Sequence, residues 1–211
     1  MTPLAYPQDL KPLTSLRFIA AFWVLLYHFK DHLGLGMGQF GLVADGYLGV
    51  DLFFATSGFL ITTLLLRERA RTGRVALGAF WMRRALRIFP LYYLVLALHV
   101  AWALALPKQS GMRASFFEGL PFYATYTGNW FPPTTPGPQP FAFSWSLAVE
   151  EQFYLFWPIV LWFLPAHRRF SAFAGGVVAT LILRTALLWT GVVGAYGARE
   201  YTFNRLDTLL L

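Results

Sequence analysis

The chain has no cysteine. It can therefore build no disulfide framework and no thiolate zinc site, and it can carry no acyl group on a cysteine thioester. It is also poor in charge, at 13% Asp, Glu, Lys and Arg, and poorest in acid: ten acidic residues stand against seventeen basic ones. With 57% hydrophobic and 18% aromatic residues and a mean hydropathy of +0.51, that shortage excludes an ordinary soluble domain and marks an integral membrane protein. The opening "MTPLAYPQDLKPLTSLR" lacks the charged leader and small-residue cleavage site of a removable signal peptide, so the first apolar run is expected to be retained as a span. No internal repeat, heptad pattern or low-complexity tract is present.

What is present is a series of apolar runs. Five have the length and apolarity of membrane spans. The first covers Leu13 to Leu33 and is followed by the glycine-rich "GLGMGQFGLVADG"; the second is "YLGVDLFFATSGFLITTLLL". The third is "LYYLVLALHVAWALAL" after Pro90, stopped by Pro107; the fourth is "SWSLAVEEQFYLFWPIVLWFL", and the fifth is "FAGGVVATLILRTALLWTGVV". Between Pro107 and Phe143 the sequence is rich in proline, glycine and aromatics, and "NWFPPTTPGPQP" excludes regular structure over its second half. Within it "SFFEGLPFYATYTGNW" is a possible sixth, short or re-entrant segment. The expected fold is an all-α polytopic transmembrane helix bundle, a single domain over 1–211 that looks cut off at its C-terminal end.

The net charge of +7 does not point to nucleic acid, because of where it lies. Seven arginines and one glutamate fall between Arg67 and Arg87, which accounts for nearly all of it. A basic connection between two apolar runs is the mark of the cytoplasmic side. That choice sends the first span outward, the second inward and the third outward. It leaves the proline-rich region outside and returns "HRR" at His167 to Arg169 to the inside.

Against this background the polar residues inside the spans stand out, since charge at membrane depth is expensive and persists where it pairs, faces protein or does chemistry. Arg17 and His28 in "SLRFIAAFWVLLYHF" are eleven residues apart, so on a helix they project from one face about 16 Å apart along the axis. Asp51 near the outer end of the second span is expected at a depth comparable with His28. Glu150 and Glu151 lie near the outer end of the fourth, pointing about 100° apart. Each has a plainer reading. Arg17 is then a snorkelling anchor and His28 an interfacial residue continued by Lys30, Asp31 and His32. The arginines are then a topogenic lipid-facing loop.

The combination resembles a known family. "SLRFIAAFWVLLYHF" is similar to the arginine, ten residues, histidine signature of the acyltransferase-3 family of membrane O-acyltransferases. "GYLGVDLFFATSGFLITTLLLRE", "FWMRRALRIFPLYY" and "FSWSLAVEEQFYLFWPIV" resemble its following blocks, in order, and "NRLDTLLL" resembles the start of a later arginine and aspartate block. Members have around ten helices, so the chain resembles the N-terminal part of a longer protein. The resemblance implies transfer of an acyl group, commonly acetyl, from cytoplasmic acyl-CoA to a hydroxyl of an extracytoplasmic or lipid-linked glycan. It implies a multi-pass location in the cell inner or plasma membrane.

The layout suits that chemistry. Arg83, Arg84 and Arg87, backed by Arg17, offer forked donors to the phosphates of acyl-CoA on the inner side. His28 has the pKa of a general base for an alcohol, and Asp51 or Glu150 is placed to orient it. Ser144, Trp145, Ser146, Glu151, Arg205 and Asp207, in the matching blocks, are expected to support substrate or structure. The expected partners are membrane lipid, acyl-CoA as co-substrate and a glycan acceptor. No metal, bound cofactor or nucleic acid is expected. Direct transfer and a transient acyl group on His28 are both open. Two other classes remain: an ion- or proton-coupled transporter component using Arg17, His28 and Asp51, against which no paired inverted repeats are seen, and a non-enzymatic membrane scaffold.

Overall fold

The computed structural model describes residues 11–29, 45–191 and 200–210. Among these there is no strand. The helices are α1 (Lys11–Phe29), α2 (Leu48–Thr72), α3 (Leu77–Ala105), α4 (Gly111–Ala124), α5 (Trp145–Phe163), α6 (Arg169–Trp189) and the short α7 (Leu206–Leu210). Single turns of 3₁₀ helix at Asp45–Tyr47, Ala142–Ser144, Ala166–Arg168 and Thr202–Arg205 precede α2, α5, α6 and α7. The tail of the first expected span and most of the glycine-rich connection, residues 30–44, lie outside the described residues.

Among the described residues, four helices are long and apolar enough to cross a membrane: Pro12–Phe29, Asp45–Thr72, Leu77–Ala105 and Arg169–Trp189. The fourth expected run does form a helix, α5, but the consecutive polar residues Glu150, Glu151 and Gln152 lower its apolarity and it does not qualify with the others. The segment considered as a sixth span is the 14-residue α4. At 1.5 Å per residue it extends only about 21 Å, less than the roughly 30 Å of a hydrocarbon core.

The arginine-rich connection is not a loop. Arg67, Arg69 and Arg71 continue α2, and Arg83, Arg84 and Arg87 belong to the first turns of α3. Arginine and glutamate are good helix formers, so the apolar helix runs on past its greasy part. It stops at Gly73, whose φ of +77° places it in the left-handed region and whose N–H donates to the carbonyl of Arg69 at 2.9 Å.

The described residues group into two compact units. The first contains residues 11–29, 45–75, 166–179 and 206–210; the second contains 76–165, 180–191 and 200–205. In the first unit α1 and α2 run antiparallel. The guanidinium of Arg17 lies over the Phe53 ring, Gly49 abuts the carbonyl of Ala20, and Gly46 abuts Trp23 and Tyr27. A Cβ at Gly49 would lie 2.7 Å from that carbonyl oxygen, so glycine is what lets the two backbones approach. Farther along α2, Gly58 receives α7 so closely that any side chain there would overlap the carbonyl oxygen of Leu209. Phe54, Ile61, Leu65 and Leu209 close this core.

The second unit has an aromatic core. Tyr92, Leu96 and Ala103 of α3, Phe116 and Tyr123 of α4, Tyr126, Phe141 and Ala148 pack together. Tyr126 stacks on Tyr92 with ring centroids 4.2 Å apart. Its φ of +55° is a left-handed conformation that costs a non-glycine residue roughly 1 to 3 kcal/mol, so its surroundings must hold it there. They do so through that stack and through its carbonyl, which accepts from Gln152 Nε2 at 2.7 Å.

Candidate functional site

Each unit holds part of the residue set singled out in the sequence. In the first unit, Arg17 is half-buried on α1, with its charge against the face of Phe53 and its Nε buried without a hydrogen-bond partner among the described residues. His28, near the C-terminal end of the same helix, is exposed. Its Nδ1 lies 2.8 Å from the carbonyl oxygen of Val24, one turn back. A carbonyl only accepts, so Nδ1 carries a proton, and in that neutral tautomer Nε2 is the acceptor. The ring also packs edge-on against Tyr27 at 5.4 Å.

Asp51 is half-buried on α2. The α1–α2 register sets its level: it falls between Gly49, which meets Ala20, and Phe53, which meets Arg17, whereas Tyr27 beside His28 meets Gly46. Asp51 therefore sits below His28 and nearer the level of Arg17 than its distance from the helix end suggested. The cause is the close glycine packing, which slides α2 along α1. Asp207 is buried on α7, where one of its carboxylate oxygens accepts from the N–H of Thr208 at 2.9 Å.

The second unit carries the remaining residues. Arg83 and Arg87 are exposed on one face of α3. Arg84, half-buried, lies 5.2 Å over the ring of Tyr154 and 5.8 Å from that of Phe80. The nearby Trp81 Nε1 donates to the Tyr154 carbonyl at 3.1 Å and ties α3 to α5. Arg84 is within electrostatic reach of Glu151, as is Glu150. Glu150 is buried at 4% exposure; Glu151 is half-buried, and one of its oxygens is buried without a hydrogen-bond partner among the described residues.

The "SWS" block lies at the N-terminal end of α5. Ser144 is buried and bonds the hydroxyl of Tyr92, which itself donates to the Tyr123 carbonyl at 2.8 Å. Ser146 Oγ reaches the Phe143 carbonyl at 3.4 Å. Trp145 lies under the buried guanidinium of Arg205 at 5.7 Å.

Two features went unseen in the sequence. Gln152 bonds on all four of its side-chain valences. Its Nε2 donates to the Tyr126 carbonyl and to Asn129 Oδ1, and its Oε1 accepts from Trp130 Nε1 at 2.8 Å and from the Thr202 hydroxyl. Asn129 Nδ2 in turn donates to the Glu200 carbonyl and to Thr202, each at 3.0 Å. The second feature is Glu118 on α4. Its carboxylate accepts from the N–H and hydroxyl groups of both Thr134 and Thr135, and these bonds hold its pKa down at about 2. The only sequence signal for either was a polar residue inside an apolar or aromatic run.

A family model described as "Acyltransferase domain", that of the acyltransferase-3 family, matches residues 12–204. The O-acetyltransferase OatA of Staphylococcus aureus (strain NCTC 8325 / PS 47) is 32% identical over 220 residues, covering 97% of this chain and 34% of its own length. A putative O-acetyltransferase, SACOL0978, of Staphylococcus aureus (strain COL) is 33% identical over 211 residues, covering 94% of this chain and 33% of its own. The chain thus spans about a third of the length of these relatives. No solved structure matches.

Proposed function

The chain belongs to the acyltransferase-3 family, and from that premise we propose that it is the acyl-transferring part of a membrane O-acyltransferase. It moves an acetyl group from cytoplasmic acyl-CoA to a hydroxyl of an extracytoplasmic or lipid-linked glycan, in a multi-pass protein of the cell inner or plasma membrane. The observation that carries this reading is His28. With Nδ1 bonded to a backbone carbonyl of its own helix, the imidazole leaves Nε2 to take a proton in the reaction proposed here.

In the proposed reaction Nε2 of His28 accepts the proton of the acceptor hydroxyl as its oxygen forms a bond to the thioester carbonyl carbon. The carbon–sulfur bond then breaks, and the thiolate of CoA leaves with the proton returned from the imidazolium. Val24 supplies the orientation that a carboxylate supplies in hydrolytic triads. Arg83, Arg84 and Arg87 bind the phosphates of the donor. The connection between α2 and α3 faces the cytoplasm, as its arginines favour. The two relatives named O-acetyltransferase support acetyl as the group moved.

Incubating membranes that contain the full-length protein with acetyl-CoA labelled in the acetyl group tests the proposal. Label appearing in a glycan fraction, and released by mild base as expected for an ester, is the expected result. Label confined to free acetate would count against it.

A further inference from the structure

Helix α3 carries a second imidazole that the proposed reaction does not use. His99 lies within the apolar stretch Leu77–Ala105, where an ionisable side chain is costly and, by default, functional. Its Nδ1 is 2.8 Å from the carbonyl oxygen of Val95, so it adopts the same tautomer as His28 and presents Nε2 as an acceptor. Four aromatic rings surround it: Phe141 at 4.9 Å, Phe143 at 5.9 Å, Trp102 at 6.3 Å and Phe116 at 6.4 Å. Phe116 and Phe141 are fully buried, whereas Phe143 is 45% exposed and Trp102 42% exposed. The imidazole thus stands between a closed aromatic floor and an open aromatic rim, and Phe143 leads directly into Ser144 and Trp145.

We propose that His99, Trp102 and Phe143 form a binding subsite for a pyranose ring of the acceptor glycan; the proposal rests on the acyltransfer reading above. The chemistry of the walls selects the occupant. A free Nε2 wants a hydrogen-bond donor, which a sugar hydroxyl supplies and which a phosphate, a thioester or an acyl chain lacks. Flat aromatic faces accept the C–H faces of a pyranose, and an apolar lining with one placed polar atom is the usual make-up of a small-molecule site. An aromatic belt at the membrane interface explains Trp102 alone but leaves the imidazole among the rings without a purpose. His99 is a positioning residue here, since the proton transfer belongs to His28.

The test uses the full-length protein in detergent with chitotetraose, cellotetraose and maltotetraose as probes, read by saturation-transfer NMR. Acceptor kinetics follow with whichever probe binds. His99→Phe keeps the ring packing and removes the acceptor atom; it is expected to weaken binding about tenfold and to raise KM for the acceptor with kcat held. His99→Gln, whose carboxamide oxygen still accepts, is expected to recover most of that loss. Phe143→Ala acts on the rim without touching the imidazole and is expected to weaken binding as well, so the proposal does not depend on one variant folding. Wild type binding none of the probes overturns the subsite, as does His99→Phe and Phe143→Ala binding as tightly as wild type. If label still reaches membrane glycan in those cases, the subsite alone falls. If no label reaches any glycan, the acyltransfer reading falls with it.

Discussion

At the scale of single residues, the hydrogen bond from His28 to Val24 was legible in principle and the rest of its surroundings were not. Any histidine on a helix has the carbonyl four residues back within reach, and His99 repeats the arrangement with Val95. The level of Asp51 was not legible, because it depends on how far α2 slides along α1, and Gly46 and Gly49 set that only when packed against α1. The exposed Arg87 gives a direct check on donor binding. Arg87→Ala is expected to raise the apparent KM for acetyl-CoA about tenfold, the loss of one charge-assisted phosphate contact, while kcat changes little. Steady-state kinetics with varied acetyl-CoA measure it, and an unchanged KM would remove Arg87 from the donor site.

Glu118 offers a check by pH. Its folded pKa of about 2 lies below the ordinary 4.5 of a glutamate, because Thr134 and Thr135 bond the charged form. The tie to the proline-rich segment is therefore fully present above about pH 4.5 and is lost as the pH falls through about 2. Hydrogen exchange at the Thr134 and Thr135 amides, corrected for the intrinsic rate at each pH, is expected to become progressively less protected across that window. In the Glu118→Gln protein, protection is expected to be low at pH 4.5 already. Equal protection of the two proteins at pH 4.5 would show that the carboxylate does not hold the segment.

At the scale of elements, the apolar runs announced where helices form, and the end of α3 followed from Pro107. Three things escaped. The arginine-rich connection reads as a loop by charge, yet its residues favour helix, and only the stretch from Gly73 to Ala76 interrupts it. The 14-residue α4 has too many aromatics for a clear helical stripe, and it is fixed by packing on α3 through Tyr92 and Tyr123. The tie made by Gln152 joins α5 to residues as far away in sequence as Thr202, which no local pattern encodes.

That tie and the seat of α7 each yield an expectation. Gln152→Leu leaves Asn129, Trp130 and Thr202 without a shared partner. At about 1 to 3 kcal/mol for each buried group left unsatisfied, the protein is expected to lose about 3 kcal/mol or more, seen as a lower Tm in detergent. A Tm matching wild type would mean water replaces the side chain at no cost. Gly58→Val places a branched side chain where α7 meets α2, and overpacking of this kind typically costs about 1 to 3 kcal/mol. It is expected to displace α7 and to expose Asp207 and Leu209, which are buried in the intact protein. A cysteine introduced at Leu209 would then react with a small maleimide in the Gly58→Val background and resist it otherwise. Reaction at equal rates in both would show that α7 does not rest on Gly58.

At the scale of the whole molecule, composition alone settled the class: a chain with few charges, no cysteine and long apolar runs folds as helices in a membrane. The division into two compact units was not visible, since residues 206–210 return to the first unit across a long sequence separation. The most direct test of the central claim is the transfer of labelled acetyl from acetyl-CoA to glycan by the full-length protein carrying His28→Ala, beside wild type at equal membrane content. Transfer is expected to fall by about 10² to 10⁴, the usual contribution of a positioned general base, while binding of acetyl-CoA persists. Transfer by the folded His28→Ala protein at the wild-type rate would contradict the account.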